Sequence, residues 1–448
     1  MKIKEKYKRL TKLSFPVMLS FMAFQLLGFT DILMVGQLGK DAIASVGLAL
    51  TFFYFLLFPM EGLLDGVTIE IAVSYGKKDI TGVKRIFKNS LLLALIMGTI
   101  GVMAYFPITF FLSKMAQNSF VYENARLYLF ISIFGIIPQI ATGVIMRLFL
   151  GVGRAKPIAV FSNLIVLINI ILTYLLVFGK MGFPAWGVAG SAAATLTAKI
   201  IGFLLTLFYY LKIRKTILPT AEKTGYSAEV IWKVVKTGTP VAQTNLFEIS
   251  AWTMFVAVVN SYGTASMAAH EIGMKIKDIA YLPGSAIGIV VTNLAGNFMG
   301  ESNSQKVKEY TYASIKMAVG IMGIFGLIFF IFPEYLVRMF SNDKEVRETA
   351  VIVLRIMALY QISDAVFIVF KGVLNGVNDT KYVRNMILIG SWFIMVPVSF
   401  LLAVALKMGV LGAWLGLTAY VTVIALFYWK RFQDKFKGTE KCCPNINV

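Results

Sequence analysis

Five acidic side chains lie inside long apolar stretches of the sequence: Asp31, Glu61, Asp65, Glu248 and Asp364. An ionisable group in apolar surroundings normally faces a cavity, a partner or an ion, because burying an isolated charge is expensive. Burial favours the neutral form of a carboxyl group, so these acids can take up and release a proton or a small cation. They are the first candidates for a functional site.

Polar neighbours strengthen the case for an ion site at two of these positions. Gln243 and Asn245 lie on the same predicted helix as Glu248, and Tyr360 precedes Asp364 by about one turn. Their oxygen atoms are of the kind that completes the coordination shell of a hard cation. This pattern predicts a cation site, with Na⁺ as the only metal considered, at Glu248 and Asp364. A carboxylate that is merely held by lysine or hydroxyl groups is the alternative.

The role of two other groups of charged residues stays open. Glu61 and Asp65 are four residues apart on one helix face, where like charges repel, so we expect one of them to be protonated or ion-bound. A structural role fits this pair equally well. Glu271, Lys275 and Asp278 have helical spacing for mutual salt bridges, and we interpret them as mainly structural.

The composition indicates which solvent surrounds these acids. Of the 448 residues, 58% are hydrophobic and only 15% are charged, a balance that points to lipid. The 43 Lys and Arg residues outnumber the 23 Asp and Glu residues, but they lie between the apolar runs. The net charge of +20 therefore indicates membrane orientation and argues against nucleic acid as a partner.

Twelve apolar runs are long enough to cross about 30 Å of hydrocarbon as helices. They lie near residues 11–36, 43–74, 89–113, 122–149, 158–179, 187–211, 232–260, 264–298, 310–334, 346–373, 385–405 and 409–429. Basic residues crowd the N-terminus, the 77–88 and 212–236 segments and the C-terminal tail. The positive-inside rule then predicts a multi-pass protein of a bacterial or archaeal cytoplasmic (inner) membrane, with both termini cytoplasmic.

The second half of the chain repeats the first. Adding 224 to the number of a helix-shaping residue gives an identical residue in four pairs: Pro16 and Pro240, Gly39 and Gly263, Pro59 and Pro283, and Gly76 and Gly300. An even number of helices per repeat makes the halves parallel. The sequence predicts an all-α membrane protein of about twelve transmembrane helices, in two parallel-repeat six-helix bundles around a central cavity. We expect an N-terminal bundle at 1–211, a cytoplasmic linker at 212–231, and a C-terminal bundle with its tail at 232–448.

The sequence carries no signature of an enzyme. It has no evident nucleophile–base constellation, phosphate-binding glycine loop or metal cluster, and we expect no cofactor other than Na⁺ or H⁺ as a coupling ion. Without a domain that hydrolyses ATP, active transport would draw on an ion gradient. The aromatic share of 14% and the 21 methionines suit an adaptable cavity for flat apolar cations, although such residues also pack against lipid.

Three stretches carry a family signature. They are Phe15-Pro16 followed by Asp31-Ile-Leu-Met-Val-Gly36 and Leu38-Gly39, then Ala268-Ala-His270-Glu271, and lastly Met299-Gly300-Glu301. Together with the six-plus-six helix plan, they resemble the multidrug and toxic compound extrusion (MATE) family over essentially the whole chain. The resemblance implies a V-shaped pair of bundles that exports cationic, amphipathic drugs in exchange for Na⁺ or H⁺.

The resemblance also implies roles for residues. Glu248 and Asp364 resemble the acidic pair that NorM-type members carry in helices 7 and 10, associated with coupling-cation binding. Asp31 resembles the carboxylate of helix 1, which belongs to an ion site in the N-terminal lobe. In that site, Asn169 and Thr195 fall where an asparagine and a threonine are expected.

One position departs from the family pattern. Thr173 stands where related proteins have Asp or Asn, so the N-lobe site has less charge with which to hold an ion. The residues that we expect to line the substrate cavity are Gln25, Gln243, Asn245, Tyr360 and Thr173.

The sequence therefore predicts a monomeric, ion-coupled exporter that works by alternating access on small organic cations within the lipid bilayer. A lipid-linked oligosaccharide flippase of the same superfamily is the alternative. A flippase would need basic residues in its cavity to hold a pyrophosphate, and Lys199, Lys275, Lys277 and Lys371 are candidates. The choice between Na⁺ and H⁺ stays open.

Overall fold

The chain folds into helices joined by short connections. The computed structural model describes residues 3–116, 118–219, 222 and 224–437, and within these ranges it contains no strand. The helices of the first repeat are α1 (Ile3–Gly36), α2 (Lys40–Gly76), α3 (Ile80–Met103), α4 (Tyr105–Met115), α5 (Ser119–Ile133), α6 (Ile136–Gly151), α7 (Lys156–Phe178) and α8 (Gly187–Ile217). Those of the second repeat are α9 (Ala228–Asn260), α10 (Thr264–Gly300), α11 (Ser304–Ile331), α12 (Pro333–Arg338), α13 (Lys344–Gly376), α14 (Thr380–Ala405) and α15 (Gly409–Phe436).

Ten of the described helices are long and apolar enough to cross a membrane, and α5 with α6, bent by 42° at their junction, make an eleventh span. Helix α9 is 33 residues long, but Gln243, Asn245 and Glu248 lower its hydropathy. The predicted all-α membrane architecture is confirmed, and the described helices reach the twelve predicted crossings only if α9 is counted with these eleven. Several features were not foreseen: the breaks between α3 and α4 and between α11 and α12, the bend between α5 and α6, and two π-helical stretches in α14 on either side of Pro397. A proline inside a helix removes a hydrogen bond and crowds the preceding turn, which accounts for the irregular winding.

The repeat extends to details of the backbone. Asp79 and Asn303, whose numbers differ by 224, cap α3 and α11 by accepting a hydrogen bond from the backbone N–H three residues further on, at 2.7 and 3.0 Å. Gly39 and Gly263 precede α2 and α10 with φ of +109° and +91°, a conformation that residues with a Cβ adopt only with strain. Matching helices of the two halves therefore begin with the same side-chain cap or the same glycine conformation.

The described chain divides into two compact units. The first unit comprises Pro16–Ala242, and the second comprises Gln243–Val448 together with Met1–Phe15. These limits fall inside α1 and α9, beside the repeated prolines, whereas the sequence places the limits of the bundles in loops. The start of α1 packs within the second unit, where Lys6 pairs with Glu309 at 2.6 Å and the Arg9 guanidinium lies 5.5 Å from the centre of the Phe298 ring.

The connection between the repeats is shorter than predicted. The sequence assigns 212–231 to a cytoplasmic linker, but α8 continues to Ile217 and α9 begins at Ala228. Positions 220, 221 and 223 of this segment and the tail from 438 onward lie outside the described residues. Within the first unit, the first turns of α9 pack closely on α2, because Gly238 lets its backbone approach the Leu63 carbonyl group.

Candidate functional site

Four of the predicted site residues meet in the first unit. The Thr173 hydroxyl group on α7 lies within hydrogen-bonding distance of Asp31 Oδ1 on α1, at 3.4 Å, and of Asn169 Oδ1, at 3.3 Å. The side-chain amide of Asn169 donates a hydrogen bond to Thr195 Oγ1 on α8, at 3.0 Å. Asn169 and Thr173 are buried. We call these four residues the Asp31 network.

Helix geometry explains why the network forms. Asn169 and Thr173 are four residues apart on α7, so both face the same neighbouring helices. The network presents a carboxylate, an amide oxygen and two hydroxyl oxygens, which are ligands that suit a hard cation or a proton. Thr173 keeps the contact with Asp31 although it lacks the charge or amide of the family pattern. Within the described ranges, no three His, Cys, Asp or Glu side chains converge as a transition-metal site would require.

A cleft of about 520 Å³ lies between the C-terminal ends of α1 and α7. It is lined by Thr30, Leu33, Met34, Gln37, Tyr174, Phe178 and Lys180. None of the four residues of the Asp31 network is among the residues that line it. Gln25, which the sequence assigned to the substrate cavity, lies exposed on α1 and does not line this cleft.

The pair Glu61 and Asp65 is held by a basic residue of the same unit. Arg147 Nη2 on α6 lies 2.8 Å from Glu61 Oε2 and 2.8 Å from Asp65 Oδ1. Arg147 Nη2 also donates to the Glu61 carbonyl oxygen, at 3.0 Å. The sequence argument for a proton or a bound ion at this pair did not include Arg147, whose guanidinium offsets the repulsion between the two acids.

Glu248 on α9 also has a basic partner. Its Oε1 lies 2.6 Å from Lys371 Nζ on α13, in a pair whose side chains are about a quarter and a third exposed. Its neighbour Gln243 accepts a hydrogen bond from Arg384 Nη1 at 3.0 Å, and Asn245 is half-buried on the same helix. Glu248 therefore follows the alternative stated above, a carboxylate held by lysine.

Asp364 lies in a different environment in the second unit. It is buried, and its Oδ2 atom has no hydrogen-bond partner among the described residues. The Tyr360 hydroxyl group lies beside the carboxyl group, and the buried Lys277 is its strongest electrostatic neighbour. Lys277 Nζ lies 5.1 Å from the centre of the Tyr281 ring and 5.9 Å from that of Tyr360. The structure thus places Asp364 and Tyr360 together, beside a lysine.

The mutual salt bridges predicted for Glu271, Lys275 and Asp278 do not form. All three residues belong to the described helix α10, and none of the ion pairs of the described residues joins them. Helical spacing allows such pairs, but the rotamers of long side chains in a partly exposed position decide whether they form.

The family is decided by a match that occurs twice. The MatE family model matches residues 16–175 and again residues 240–401, together well over half of the chain. The chain belongs to the MATE family. The two matches start at the repeated prolines, so the family unit and the internal repeat coincide. MATE proteins are transporters, and this one is a multi-pass membrane transporter.

Curated relatives and solved structures resemble this MATE transporter over nearly its whole length. It is 27% identical over 419 residues to the "Probable multidrug resistance protein NorM" of Thermotoga maritima, covering 92% of this chain and 89% of the relative. It is also 27% identical to the protein of that name from Oceanobacillus iheyensis, covering 93% and 94%. A structure described as an outward-facing "multidrug resistance MATE family transporter of the MOP superfamily" shares the fold with a TM-score of 0.89, at 20% identity over 96% of both chains. A MOP superfamily transporter from Pyrococcus furiosus, described as having a binding pocket of reversed polarity, gives 0.88 with the same coverage.

In this MATE transporter, sequence reasoning missed the basic residues that pair with Glu61 and Asp65 and with Glu248. Arg147 was not considered, and Lys371 was considered only as a cavity residue of a flippase. A signal was present, because each repeat carries a basic residue near the end of the matching helix, Arg147 four residues before Gly151 and Lys371 five residues before Gly376. Comparison of charges between the repeats would have found it.

Proposed function

We propose that this MATE transporter exports cationic amphipathic compounds in exchange for Na⁺ or H⁺ by alternating access. The observation that carries the proposal is the Asp31 network, a membrane carboxylate linked to amide and hydroxyl oxygens and to no basic group by an ion pair in the described structure. Such a carboxylate can exchange one small cation for another. The relatives named multidrug resistance proteins support the substrate class.

The charges favour Asp31, with Asn169 and Thr195, as the main coupling site. Glu248 is a weak candidate, because Lys371 already neutralises it at 2.6 Å. Asp364 is a stronger candidate, because one of its oxygens is buried without a hydrogen-bond partner among the described residues, but Lys277 reduces its attraction for a further cation. We therefore rank Asp31 first, Asp364 second and Glu248 third.

Coupling follows from competition for one negative charge. A cation that binds at Asp31 removes the attraction of this carboxylate for a positively charged compound in the same unit. If the coupling cation binds one conformation more tightly than the other, its gradient shifts the populations and drives export. The transporter is proposed to act as a monomer in the cytoplasmic membrane, with both termini cytoplasmic.

The flippase remains the second candidate, and one observation favours it. Lys277 is buried and forms no ion pair in the part of the chain that the structure describes, so it could hold an anionic headgroup. A flippase would translocate a lipid-linked pyrophosphate and would not respond to cationic dyes.

The purified protein, reconstituted into liposomes, separates the two functions. Ethidium efflux would be followed after a Na⁺ gradient and a pH gradient are imposed one at a time. Efflux driven by either gradient supports antiport and identifies the coupling ion. Folded protein that exports no ethidium under either gradient would contradict antiport and favour the flippase.

A further inference from the structure

Lys199 is a basic residue inside a membrane-spanning helix, one turn after Thr195 of the Asp31 network. Its Nζ lies 4.3 Å from the centre of the Phe53 ring, and its aliphatic stem packs beside Gly135. Unlike Arg147, it forms no ion pair among the described residues. An intramembrane ammonium group without a carboxylate partner is costly, and the ring face offsets only part of this cost.

The surrounding charges leave one negative charge uncompensated. Asp31 and Glu61 are the acids that act electrostatically on Lys199. The titratable and charged groups around this position, from every helix that contributes one, are Asp31 (α1), Tyr54, Glu61 and Asp65 (α2), Tyr128 (α5), Arg147 (α6) and Lys199 (α8). With neutral tyrosines, three carboxylates face the two cations that the chain itself supplies, Arg147 and Lys199. One monovalent cation therefore completes the balance.

We propose that Lys199 is the resident counter-cation of Asp31. When the coupling cation leaves, the ammonium group moves from the Phe53 ring toward Asp31, and the next coupling cation displaces it again. Lysine suits this role because its charge is compact and its four-carbon stem is flexible, whereas arginine presents a rigid fork. The inference rests on the proposed function, since it concerns how the Asp31 site exchanges ions. Lys199 acts through Asp31 and is a positioning residue.

This role has a measurable consequence. A positive charge close to Asp31 repels the incoming cation and speeds its release. Removal of that charge should strengthen cation binding and slow turnover at the same time. Loss of a merely structural lysine would not give tighter cation binding together with slower turnover. It would distort the site, and a distorted site binds its ion more weakly.

The test compares Lys199→Met with Lys212→Met, a control on an exposed turn of the same helix. Binding of ²²Na⁺ and uptake of protons would be titrated on the purified full-length proteins, and ethidium efflux measured in liposomes. We expect the half-saturating concentration of the coupling cation to fall about tenfold in Lys199→Met, while efflux slows. The control should remain near wild type in affinity and in efflux, whereas Lys199→Arg should keep the wild-type affinity because it keeps the charge but should export more slowly because its fork is rigid.

Asp31→Asn and the double variant Asp31→Asn with Lys199→Met show whether the effect runs through Asp31. Tighter binding that is lost in the Asp31→Asn background supports the proposal. Unchanged or weaker cation binding in Lys199→Met, or a wild type that binds neither Na⁺ nor H⁺, overturns it. Lys199→Gln serves if the methionine variant does not fold. Wild-type efflux that ignores both gradients would refute the proposed antiport, whereas the binding titrations still decide the role of Lys199.

Discussion

Arg147 and Lys371 lie near the ends of α6 and α13, the matching helices of the two repeats, and each forms an ion pair with acidic residues of its own unit. Arg147 bridges two carboxylates, and Lys371 holds Glu248. Fixed basic residues thus neutralise part of the acidic charge of the membrane spans. Asp31 and Asp364 are different, since neither forms an ion pair within the described ranges, and they remain available for exchangeable cations.

Replacement of Arg147 tests its bridging role. Arg147→Met leaves Glu61 and Asp65 close together without a cation, and we expect it to destabilise the protein by about 1–2 kcal/mol. The value lies below that of a fully buried pair because Asp65 is half exposed. Thermal unfolding in detergent would measure the loss, with Arg85→Met, at an exposed position, as the control. A melting temperature equal to that of the control would show that the bridge contributes nothing.

The pair of Glu248 and Lys371 is tested by a double-mutant cycle. Glu248→Gln and Lys371→Met each leave one partly buried charge unpaired, whereas the double variant removes both charges. We expect the double variant to be more stable than the sum of the single losses predicts, by about 1 kcal/mol. Additive melting temperatures would mean that the two groups are not coupled, and would return Glu248 to the list of ion-binding candidates.

Because α9 approaches α2 closely, one methyl group added at their contact should lower the stability of the protein. A Cβ on Gly238 would collide with the backbone of Leu63, so Gly238→Ala must push the helices apart. We expect Gly238→Ala to lower the melting temperature by several degrees, equivalent to about 1–3 kcal/mol. Gly323→Ala is the matched control, because its Cβ would meet no atom within 4 Å. Equal behaviour of the two variants would contradict this packing.

Asp379 lies in the connection between α13 and α14, and its ion pairs predict that the stability of the protein depends on pH. Burial alone would raise its pKa, but the hydrogen bond from Arg431 and the charges of Lys435 and Arg431 hold the pKa below its ordinary value. Arg431 Nε lies 2.8 Å and Lys435 Nζ 3.4 Å from Asp379 Oδ2. A lowered pKa means that the stabilisation is present above the unfolded-state pKa of about 3.9 and is lost as pH falls through the folded-state value.

The size of this effect is modest because Arg431 and Lys435 are partly exposed. We expect Asp379→Asn to cost about 0.5 kcal/mol at pH 7 and less than this at pH 3, where the loss of the stabilisation has begun. Melting curves at the two pH values, with the exposed Glu345→Gln as the control, measure the difference. A deficit that persists unchanged at pH 3 would show that the carboxylate charge is not its cause.

The fold was largely predictable from the sequence because a membrane limits the choice of structure. Apolar runs must become helices in lipid, and the repeated Pro16 and Pro240 set the register of the two halves. The break after Met103 was missed because it depends on local packing, and the π-helical winding near Pro397 was missed although this proline is visible in the sequence. Hydropathy averages over about twenty residues and does not resolve such changes.

The candidate site was predictable only in part. Asp31, Asn169 and Thr195 meet as the family resemblance implied, because the family pattern carries information about contacts between distant helices. The partners of Glu61 and Glu248 were missed, since a helix periodicity shows which residues share a face but not which neighbouring helix that face meets. Arg147 lies 82 residues from Asp65, and no local pattern connects them.

The most direct test of the account is the initial rate of gradient-driven ethidium efflux by Asp31→Asn in liposomes. The comparison is with wild type and with Asp434→Asn, a control at an exposed position. We predict that Asp31→Asn loses at least nine-tenths of the gradient-driven rate, because its amide cannot exchange a cation, while the control retains its rate. Full gradient-driven efflux by Asp31→Asn, together with its loss in the double variant Glu248→Gln and Asp364→Asn, would contradict the assignment and place coupling in the second unit.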